Sequence, residues 1–490
     1  MKNITFHLKT ALLISVLSLG SCVSIDEEPE SFITAEQFYR NDDEAVSAVN
    51  AVYHGLNNAT HTLYNRLIQI STEMASDDYE AGPRARNAHV RALAGLTHDA
   101  SNDRMLEIWR QSYDVINRAN LAIDNISSNN LLTPALAARL VNEAKFLRAL
   151  LYFNLVRWFG PVPLVVHPQG LSKEELNVSK ATEDQVYAQI IADLTDAESL
   201  PAPHQYSSSD VGRATAGAAK SLLAKVYLTR EQWDLAAAKA KEVIDSNWYG
   251  LFEDFADVFD VATKNGREHI FSAQFKGYFN FYGNMLGGTA APNEVPGING
   301  DYADALNKAS GLYQSFSDDD ERKAVTFVTQ IVSPTNGNLY TIEPHLHKYY
   351  DPTTPAAPGE SSKNTPIIRY AEVLLIYAEA LSQSEGPVGA AYEALDAVRV
   401  RAGLEPLAVV SPGLSKEDFR EAVYEERRKE FVYEYQRWFD LARRGPDYYV
   451  AKLHAAGKTQ AAPRHVHFPT PQRELDINPN LKQHPDWVGF

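Results

Sequence analysis

The stretch Thr133–Gly160, TPALAARLVNEAKFLRALLYFNLVRWFG, determines the fold class expected for this chain. Its apolar side chains recur every three or four residues, which is the period of one helix face. Thr133 can cap the helix, and Pro134 suits its first position because a missing N–H costs nothing there. Gly160 and Pro161 end it. The stripe consists of Leu136, Leu140, Ala144, Leu147, Leu151, Leu155 and Trp158.

A pattern within this helix recurs further along the chain. The residues A-K-x-L-x-A-x-x-Y begin at Ala144 and again at Ala219. Small residues facing large ones suit close-packed helical hairpins, which stack into tetratricopeptide-type arrays with a period near 34 residues. The same alternation also occurs in unrelated helical bundles. We expect the helix pairs around 134–158 and 214–246 to stack as adjacent hairpins.

Further helices are expected on both sides of a loop-rich region. Helical patterns cover 214–232 and 233–246, another begins at Thr365-Pro366, and a long amphipathic one runs over 415–445 from a capping-box-like Ser415. Between roughly 263 and 364 the sequence has no helical period and is rich in Gly, Asn and turn signals. The predicted fold is mostly α, a tetratricopeptide-like helical hairpin scaffold with an irregular loop-rich ligand face and few short strands.

The only cysteine, Cys22, follows an apolar segment at the start of the chain. Lys2 and Lys9 precede the segment, which is too short to span a bilayer and has the form of a signal peptide. Leu19-Gly20-Ser21-Cys22 resembles a bacterial lipobox, in which the thiol accepts a lipid. An ordinary secretory signal with an incidental cysteine, or a retained anchor helix, is the alternative. We therefore predict lipidation at Cys22.

These patterns divide the chain into five predicted segments. They are a lipoprotein signal peptide (1–21), a lipidated flexible tether (22–33), an N-terminal helical region (34–262), a loop-rich ligand face (263–364) and a C-terminal helical region with a tail (365–490).

The charge of the chain excludes some functions. The formal net charge is −17, and removal of Lys2 and Lys9 with the signal peptide leaves −17 − 2 = −19. A nucleic-acid binder neutralises phosphates with clustered cations, and a protein that docks on anionic lipid does the same. The sequence has no long basic run. We therefore expect no nucleic-acid partner and no electrostatic docking on lipid.

Glu425, Glu426 and Glu430 lie close together on the long predicted helix. A glycosidase needs two carboxylates across a cleft. These alternate with Arg427 and Arg428, as the side chains of a salt-bridged helix face do. We therefore interpret the group as structural.

Other motifs nominate no reaction. The acidic run 318–321 lacks the spacing of a calcium loop and suits helix capping. His345/His347 and His465/His467 could each face one side of a strand, but no further ligand lies at a recognised metal spacing. No P-loop, Rossmann glycine set or nucleophile elbow is present. The sequence predicts no catalytic residue, no cofactor and no metal.

An aromatic stretch is the first candidate for ligand binding. Sugars present apolar C–H faces and hydroxyl groups, so flat rings beside Asn or Arg side chains can bind them. The stretch consists of Tyr278, Phe279, Phe281, Tyr282 and Asn284. Some of these rings could instead belong to the core. A second loop, interrupted by Gly82-Pro83, supplies Asp78 and Arg84 as further candidates.

The chain as a whole resembles the SusD/RagB outer-membrane lipoproteins of Gram-negative bacteria. Beside the lipobox, the resemblance is carried by segments in order along nearly the whole chain. These are ESFITAEQFYRNDDEAVSAVNAVYHGL, YDVINRANLAIDNI, EAKFLRALLYFNLVRWFGPVPLVV, GRATAGAAKSLLAKVYL, IIRYAEVLLIYAEAL, ALDAVRVRAGL, ERRKEFVYEYQRWFDLAR and FPTPQRELDINPNLKQHP. Arg148, Gly160, Pro163 and residues 437–440 match the family's scaffold positions.

The resemblance implies a function at the cell surface. Members of the family sit as lids on a SusC-like TonB-dependent outer-membrane transporter and capture glycans or other nutrients without catalysis. This sequence has no aromatic residue between Tyr79 and Trp109, where the starch binder has a stacking ring, so a glycan other than starch is expected. A surface binder of peptides or another non-sugar nutrient, or a cryptic glycan hydrolase, are the alternative functions.

Overall fold

The structure is a computed structural model that describes residues 38–57, 61–168, 172, 174–277, 283–298, 300, 304–354 and 361–490. Asn41–Phe490 form one compact unit. The described part of the compact unit holds many α-helices and only short two-stranded sheets. This confirms the prediction of a mostly helical fold.

The α-helices of the described residues are α1 Asp42–His54, α2 Leu67–Thr72, α3 Ala88–Ala94, α4 Asp103–Ser127, α5 Pro134–Phe159, α6 Glu183–Ala197, α7 Ala216–Thr229, α8 Trp233–Asp245, α9 Leu286–Ala290, α10 Leu312–Ser315, α11 Arg322–Thr326, α12 Tyr370–Ser384, α13 Gly389–Arg401, α14 Leu407–Val410, α15 Lys416–Glu430, α16 Arg437–Ala442, α17 Pro446–Ala455 and α18 Gln472–Ile477. Short 3₁₀ helices lie at Pro203–Gln205, Phe255–Phe259, Lys308–Ser310, Pro463–Val466 and Pro485–Trp487.

The strands form four antiparallel pairs. They are β1 Tyr79–Ala81 with β5 Asp304–Leu306, β2 Val162–Pro163 with β3 Lys180–Ala181, β4 His269–Ala273 with β8 Thr365–Arg369, and β6 Phe327–Val332 with β7 Leu339–Leu346. The β1–β5 pair joins the loop after α2 to the loop-rich region, and aligns Ala81 with Asp304.

Helix α5 is the centre of the helical scaffold. Thr133 precedes it in extended conformation, and Gly160 ends it with a φ of +62°, a conformation that favours glycine. From Glu143 to Phe159 nearly every side chain is buried, so the single apolar stripe predicted from the sequence is too narrow. The reason is that α1, α4 and α6 all pack against α5.

The helices pack mainly on their neighbours in chain order. Helix α6 lies between α5 and α7, α8 packs on α7, and α12 packs on α8 and also contacts α13 and α15. Helices α5 and α7 touch little because α6 separates them. Successive hairpins thus stack side by side, as a tetratricopeptide-like scaffold requires.

Two predicted helix boundaries are wrong. The segment beginning Thr365-Pro366 is the buried strand β8, and helix α12 begins only at Tyr370. A residue before proline disfavours helical backbone, and the β-branched pair Ile367-Ile368 suits a strand that can pair with β4.

The long helix predicted over 415–445 is divided into α15 and α16. Tyr433 and Tyr435 between them have a φ of +63°. The backbone N–H of Tyr433 donates to the hydroxyl of Tyr79 at 2.7 Å, and that of Tyr435 donates to Glu73 Oε1 at 2.7 Å. These distant acceptors hold two residues in a conformation that local sequence disfavours.

The carboxylates of α15 are held in ion pairs, as predicted, but only Glu425 has its partner on the same helix, Arg428 at 3.5 Å. Glu430 is buried and accepts from Arg322, Arg369 and Arg401, which lie on other elements. Glu426 pairs with Arg322 at 2.6 Å. The acidic run 318–321 leads into α11, where Asp320 accepts the Arg322 backbone N–H at 3.2 Å.

None of the helices within the described ranges combines the length and the apolar character needed to cross a membrane.

Candidate functional site

A cavity of about 340 Å³ opens beside the second sequence candidate, Arg84. We call it the arginine cavity. Its lining residues are His61, Arg66, Ile70, Arg84, Ala85, Arg86, Asn87, Val90, Arg104 and Asp304. They come from five places in the chain: the segment before α2, α2 itself, the loop 82–87 with α3, the start of α4, and β5.

The loop that carries Arg84 and Arg86 is held from its C-terminal side. Asn87 caps α3, and its side-chain oxygen accepts the backbone N–H groups of His89 at 2.8 Å and Val90 at 3.3 Å. Arg91 Nη1 donates to the carbonyl oxygens of Ala85 and Arg86, each at 2.7 Å. The backbone beneath both cavity arginines is therefore braced before any ligand arrives.

The lining carries an excess of positive charge, with four arginines against one aspartate. Arg104 bonds to Asp103 at 3.0 Å and to Glu107 at 3.0 Å, which neutralises part of its charge. Arg84 and Arg86 are exposed, and no side-chain hydrogen bond or ion pair joins either to another described residue. Their guanidinium groups are the donors that a ligand can reach.

Hydrogen bonds tie the floor of the cavity to the helical scaffold. Asp304 is buried, and its Oδ2 accepts the Tyr433 hydroxyl at 2.6 Å. Tyr433 in turn is tied through its backbone to Tyr79, whose strand pairs with the strand of Asp304. The strand pair and the two tyrosines connect this floor to the helical scaffold.

Asp78 supports the loop and does not line the cavity. It is 2% exposed, and Arg428 of α15 binds both of its oxygens, with Nη2–Oδ1 at 2.5 Å and Nε–Oδ2 at 3.0 Å. The preceding Asp77 pairs with Arg437 at 2.7 Å. Both carboxylates are occupied by arginines of the scaffold, so Asp78 positions β1 rather than reaching outward.

The side-chain polar atoms of Asn284 also form hydrogen bonds within the protein. It is 2% exposed, donates to the Lys363 carbonyl at 3.0 Å and to Thr365 Oγ1 at 3.1 Å, and accepts the Leu286 N–H at 2.9 Å. The four aromatic candidates Tyr278, Phe279, Phe281 and Tyr282 lie outside the described residues.

The residues that directly follow Tyr282 lie near the arginine cavity. Asn65 Nδ2 donates to the carbonyl of Gly283 at 3.1 Å, and Asn65 Oδ1 accepts the N–H of Met285 at 2.9 Å. Asn65 directly precedes Arg66, which lines the cavity. Gly283, which follows Tyr282 in sequence, is thus hydrogen-bonded to a residue next to the cavity wall.

Sequence reasoning missed most of the cavity. Arg86 lies two residues after Arg84 and could have been nominated with it. Arg66, Arg104 and Asp304 come from three separate elements, and no local pattern marks them. Only the packing of α2, α4 and β5 brings them together.

A second cavity, of about 370 Å³, lies among the scaffold helices. Arg443, in its wall, binds Glu379 at 2.6 Å. Arg157, also in its wall, stacks against the rings of Phe153 and Phe439 at 3.9 and 3.7 Å. Because these cations have partners within the scaffold, we place the candidate site at the arginine cavity.

The two H-x-H pairs do not meet. His345 is near Glu294 and His347 stacks on Tyr350, whereas His465 packs on Trp487. His467, His484 and Asp486 do have potential ligand atoms within 4.8 Å of one another. Burial lowers the pKa of His467 to about 4 and also lowers that of His484, and the nearby Lys180 ammonium adds to both shifts. That same charge opposes a divalent cation, so we assign no metal to this cluster.

The buried Glu73, directly after α2, predicts a pH dependence of stability. Burial, reinforced by Asp78 and Asp77, raises its pKa to about 8. The folded protein therefore keeps a proton on Glu73 that the unfolded chain loses near pH 4.5. The stability that this proton contributes is complete below pH 4.5 and is lost as the pH rises toward 8. Glu73→Gln mimics the protonated carboxyl. From pH 5 to 8, wild type should lose roughly 2–4 kcal/mol relative to this variant in urea unfolding.

The exposed Glu253 provides the control for this measurement. Glu253→Gln should follow the wild-type profile at both pH values. If wild type and Glu73→Gln instead keep a constant difference from pH 5 to 8, Glu73 is ionised in the folded protein and the prediction is wrong.

Two family models match the chain. Residues 329–487 match the model of the SusD family, and residues 34–228 match a SusD-like model described as starch-binding and associating with the outer membrane. The two matched ranges leave residues 229–328 unmatched, and this gap contains most of the loop-rich region.

Individual proteins match over most of their length. The chain is 30% identical to SusD-like protein P2 of Formosa agariphila over 467 residues, which cover 89% of this chain and 90% of that protein. A solved SusD superfamily protein of Parabacteroides distasonis superposes with a TM-score of 0.79 at 26% identity, covering 91% of this chain and 99% of that one. A laminarin-binding SusD-like protein superposes with a TM-score of 0.76 at 27% identity, covering 92% and 100%.

Proposed function

Because this chain belongs to the SusD family, we propose that it is a cell-surface lipoprotein that binds a glycan and delivers it to a TonB-dependent outer-membrane transporter. The observation that carries the proposal is the arginine cavity, a concave site built by loops on a helical scaffold. Rigid scaffolds commonly present binding residues on such loops. The relative that binds laminarin has the same fold over nearly its whole length.

Within this site we propose direct and supporting roles. Arg84 contacts the ligand, and the aromatic residues Tyr278, Phe279, Phe281 and Tyr282 stack on its sugar rings. Asp78 and Asn284 act indirectly, because their polar atoms are engaged by Arg428 and by the segment 363–365.

The proposed role is binding without catalysis. Glu426 and Glu430, the two buried carboxylates of α15, are 3% and 0% exposed and held by arginines. A glycosidase acid must approach its substrate across a cleft. These carboxylates cannot do so while the ion network is intact.

A binding screen tests the proposal. The soluble form lacking residues 1–22 keeps the whole compact unit Asn41–Phe490. We expect it to bind at least one polysaccharide in a panel of laminarin, starch, sulfated galactan and polygalacturonate, and to release no new reducing ends. Binding to peptides with no polysaccharide bound would refute the glycan proposal, and turnover would show an enzyme. For delivery, the lipidated protein should co-purify with a TonB-dependent transporter from outer membranes; recovery without one would argue against that step.

A further inference from the structure

We propose that the ligand is an anionic polysaccharide, and that Arg84 and Arg86 bind its sulfate or carboxylate groups in the arginine cavity. This inference rests on the proposed glycan-binding function and adds the chemical class of the glycan. The starting observation is that two accessible guanidinium groups face one cavity without carboxylate partners among the described residues.

The local charge of the cavity is opposite to that of the protein. The chain as a whole has a formal charge of −17, so its average surface repels a polyanion. Partly exposed arginines elsewhere in the chain pair with carboxylates, as Arg118 does with Asp114 at 2.7 Å. Arg84 and Arg86 do not, and the one carboxylate of the lining, Asp304, is buried and accepts from Tyr433.

The cavity is preorganised for this ligand. Arg91 bonds to the carbonyl oxygens of Ala85 and Arg86, and thereby fixes the backbone from which the Arg84 and Arg86 side chains extend. Ordering this loop on binding therefore costs little conformational entropy. The loop is thus held in place while the guanidinium donors of Arg84 and Arg86 stay available to bind a charged group.

The chemistry of the lining favours oxyanions over neutral sugar faces. A guanidinium group presents parallel N–H donors that match the two oxygens of a carboxylate or sulfate. Neutral glycans are held largely by flat rings stacked on the sugar, but no Phe, Tyr or Trp is among the described lining residues. The described part of the cavity therefore offers charge recognition in place of stacking.

Sulfate esters and uronic acids present the same oxyanion chemistry, so paired polysaccharides are needed to test the inference. The soluble form lacking residues 1–22 is titrated with a sulfated galactan and its desulfated product, with polygalacturonate and its carboxyl-reduced product, and with laminarin. The charged member of one pair should bind at least ten-fold more tightly than its neutral product, and the pair that shows this identifies the group. Affinity should fall as salt rises from about 0.1 M to about 1 M, since the Debye length shortens from about 10 Å to about 3 Å.

Variants locate the interaction. Arg84→Ala and Arg86→Ala should each weaken binding of the charged polysaccharide roughly ten-fold or more, with an unchanged melting temperature because both side chains are exposed. Arg84→Lys keeps the charge but loses the planar fork, and should lose less than Arg84→Ala. Arg473→Ala, an exposed arginine that does not line the cavity, should bind as wild type does.

The outcomes separate this inference from the proposed function. Equal binding of charged and neutral products overturns the anionic class while leaving glycan binding in place. Wild-type affinity in both alanine variants overturns the assignment to Arg84 and Arg86. Failure of every polysaccharide to bind refutes the glycan-binding function, and the inference with it.

Discussion

Replacing Arg369 with alanine should lower the free energy of unfolding by about 3–5 kcal/mol, because it leaves buried carboxylates without a partner. Arg369 is 2% exposed and binds Glu268 at 2.5 Å, Glu430 at 2.9 Å and Glu434 at 2.7 Å. Taking these carboxylates out of water is offset only while cations face them.

Neighbouring cations limit the loss of stability in Arg369→Ala, because the buried carboxylates keep other partners. Glu430 retains Arg322 and Arg401, and Glu434 retains Lys348 at 2.8 Å. Complete loss of folding is therefore not expected. The network lies where β8, α13 and α15 meet, so its disruption should loosen the joint between the C-terminal helices and the loop-rich region.

Urea unfolding at pH 7 measures the effect. Arg369→Met, which keeps most of the side-chain volume, should be destabilised to a similar extent if charge rather than packing is responsible. Arg118→Ala removes a partly exposed pair one helical turn apart, and should change stability by less than about 1 kcal/mol. A loss in Arg369→Ala no larger than in Arg118→Ala would contradict the prediction.

Replacing Cys22 with alanine should move the protein from the membrane fraction to the soluble periplasm. Each buried lipid methylene contributes about 0.8 kcal/mol, so several acyl chains hold a protein firmly on a membrane. The helices of the described residues contain no membrane span that could substitute for the lipid. Cys22 itself lies outside the described residues, and its lipidation is our proposal from the lipobox-like sequence.

Fractionation together with metabolic labelling by a lipid precursor tests this proposal. Wild type should be labelled and sediment with the outer membrane, and Cys22→Ala should do neither. Ser24→Ala, two residues downstream, is the control and should behave as wild type. Label on the Cys22→Ala protein, or its retention in the membrane fraction, would show that another group anchors the chain.

Short-range sequence patterns determined the helical class of the fold. The apolar period of α5, with Pro134 at its start and Gly160 at its end, acts between residues three or four apart and needs no knowledge of distant segments. The same holds for α7, which Thr215 caps through its hydroxyl. A local signal also identified Arg84 as a candidate binding residue, because Gly82-Pro83 marks a loop.

Tertiary contacts decided where helices end and how the candidate site is assembled. The break between α15 and α16 depends on hydrogen bonds from Tyr433 to Tyr79 and from Tyr435 to Glu73, more than 350 residues away in the chain. The arginine cavity likewise depends on Arg66, Arg104 and Asp304 meeting Arg84 and Arg86 from separate elements. Periodicity and capping describe interactions within a few residues, whereas buried polar groups take whichever distant partner satisfies them, and that partner exists only once the chain has folded.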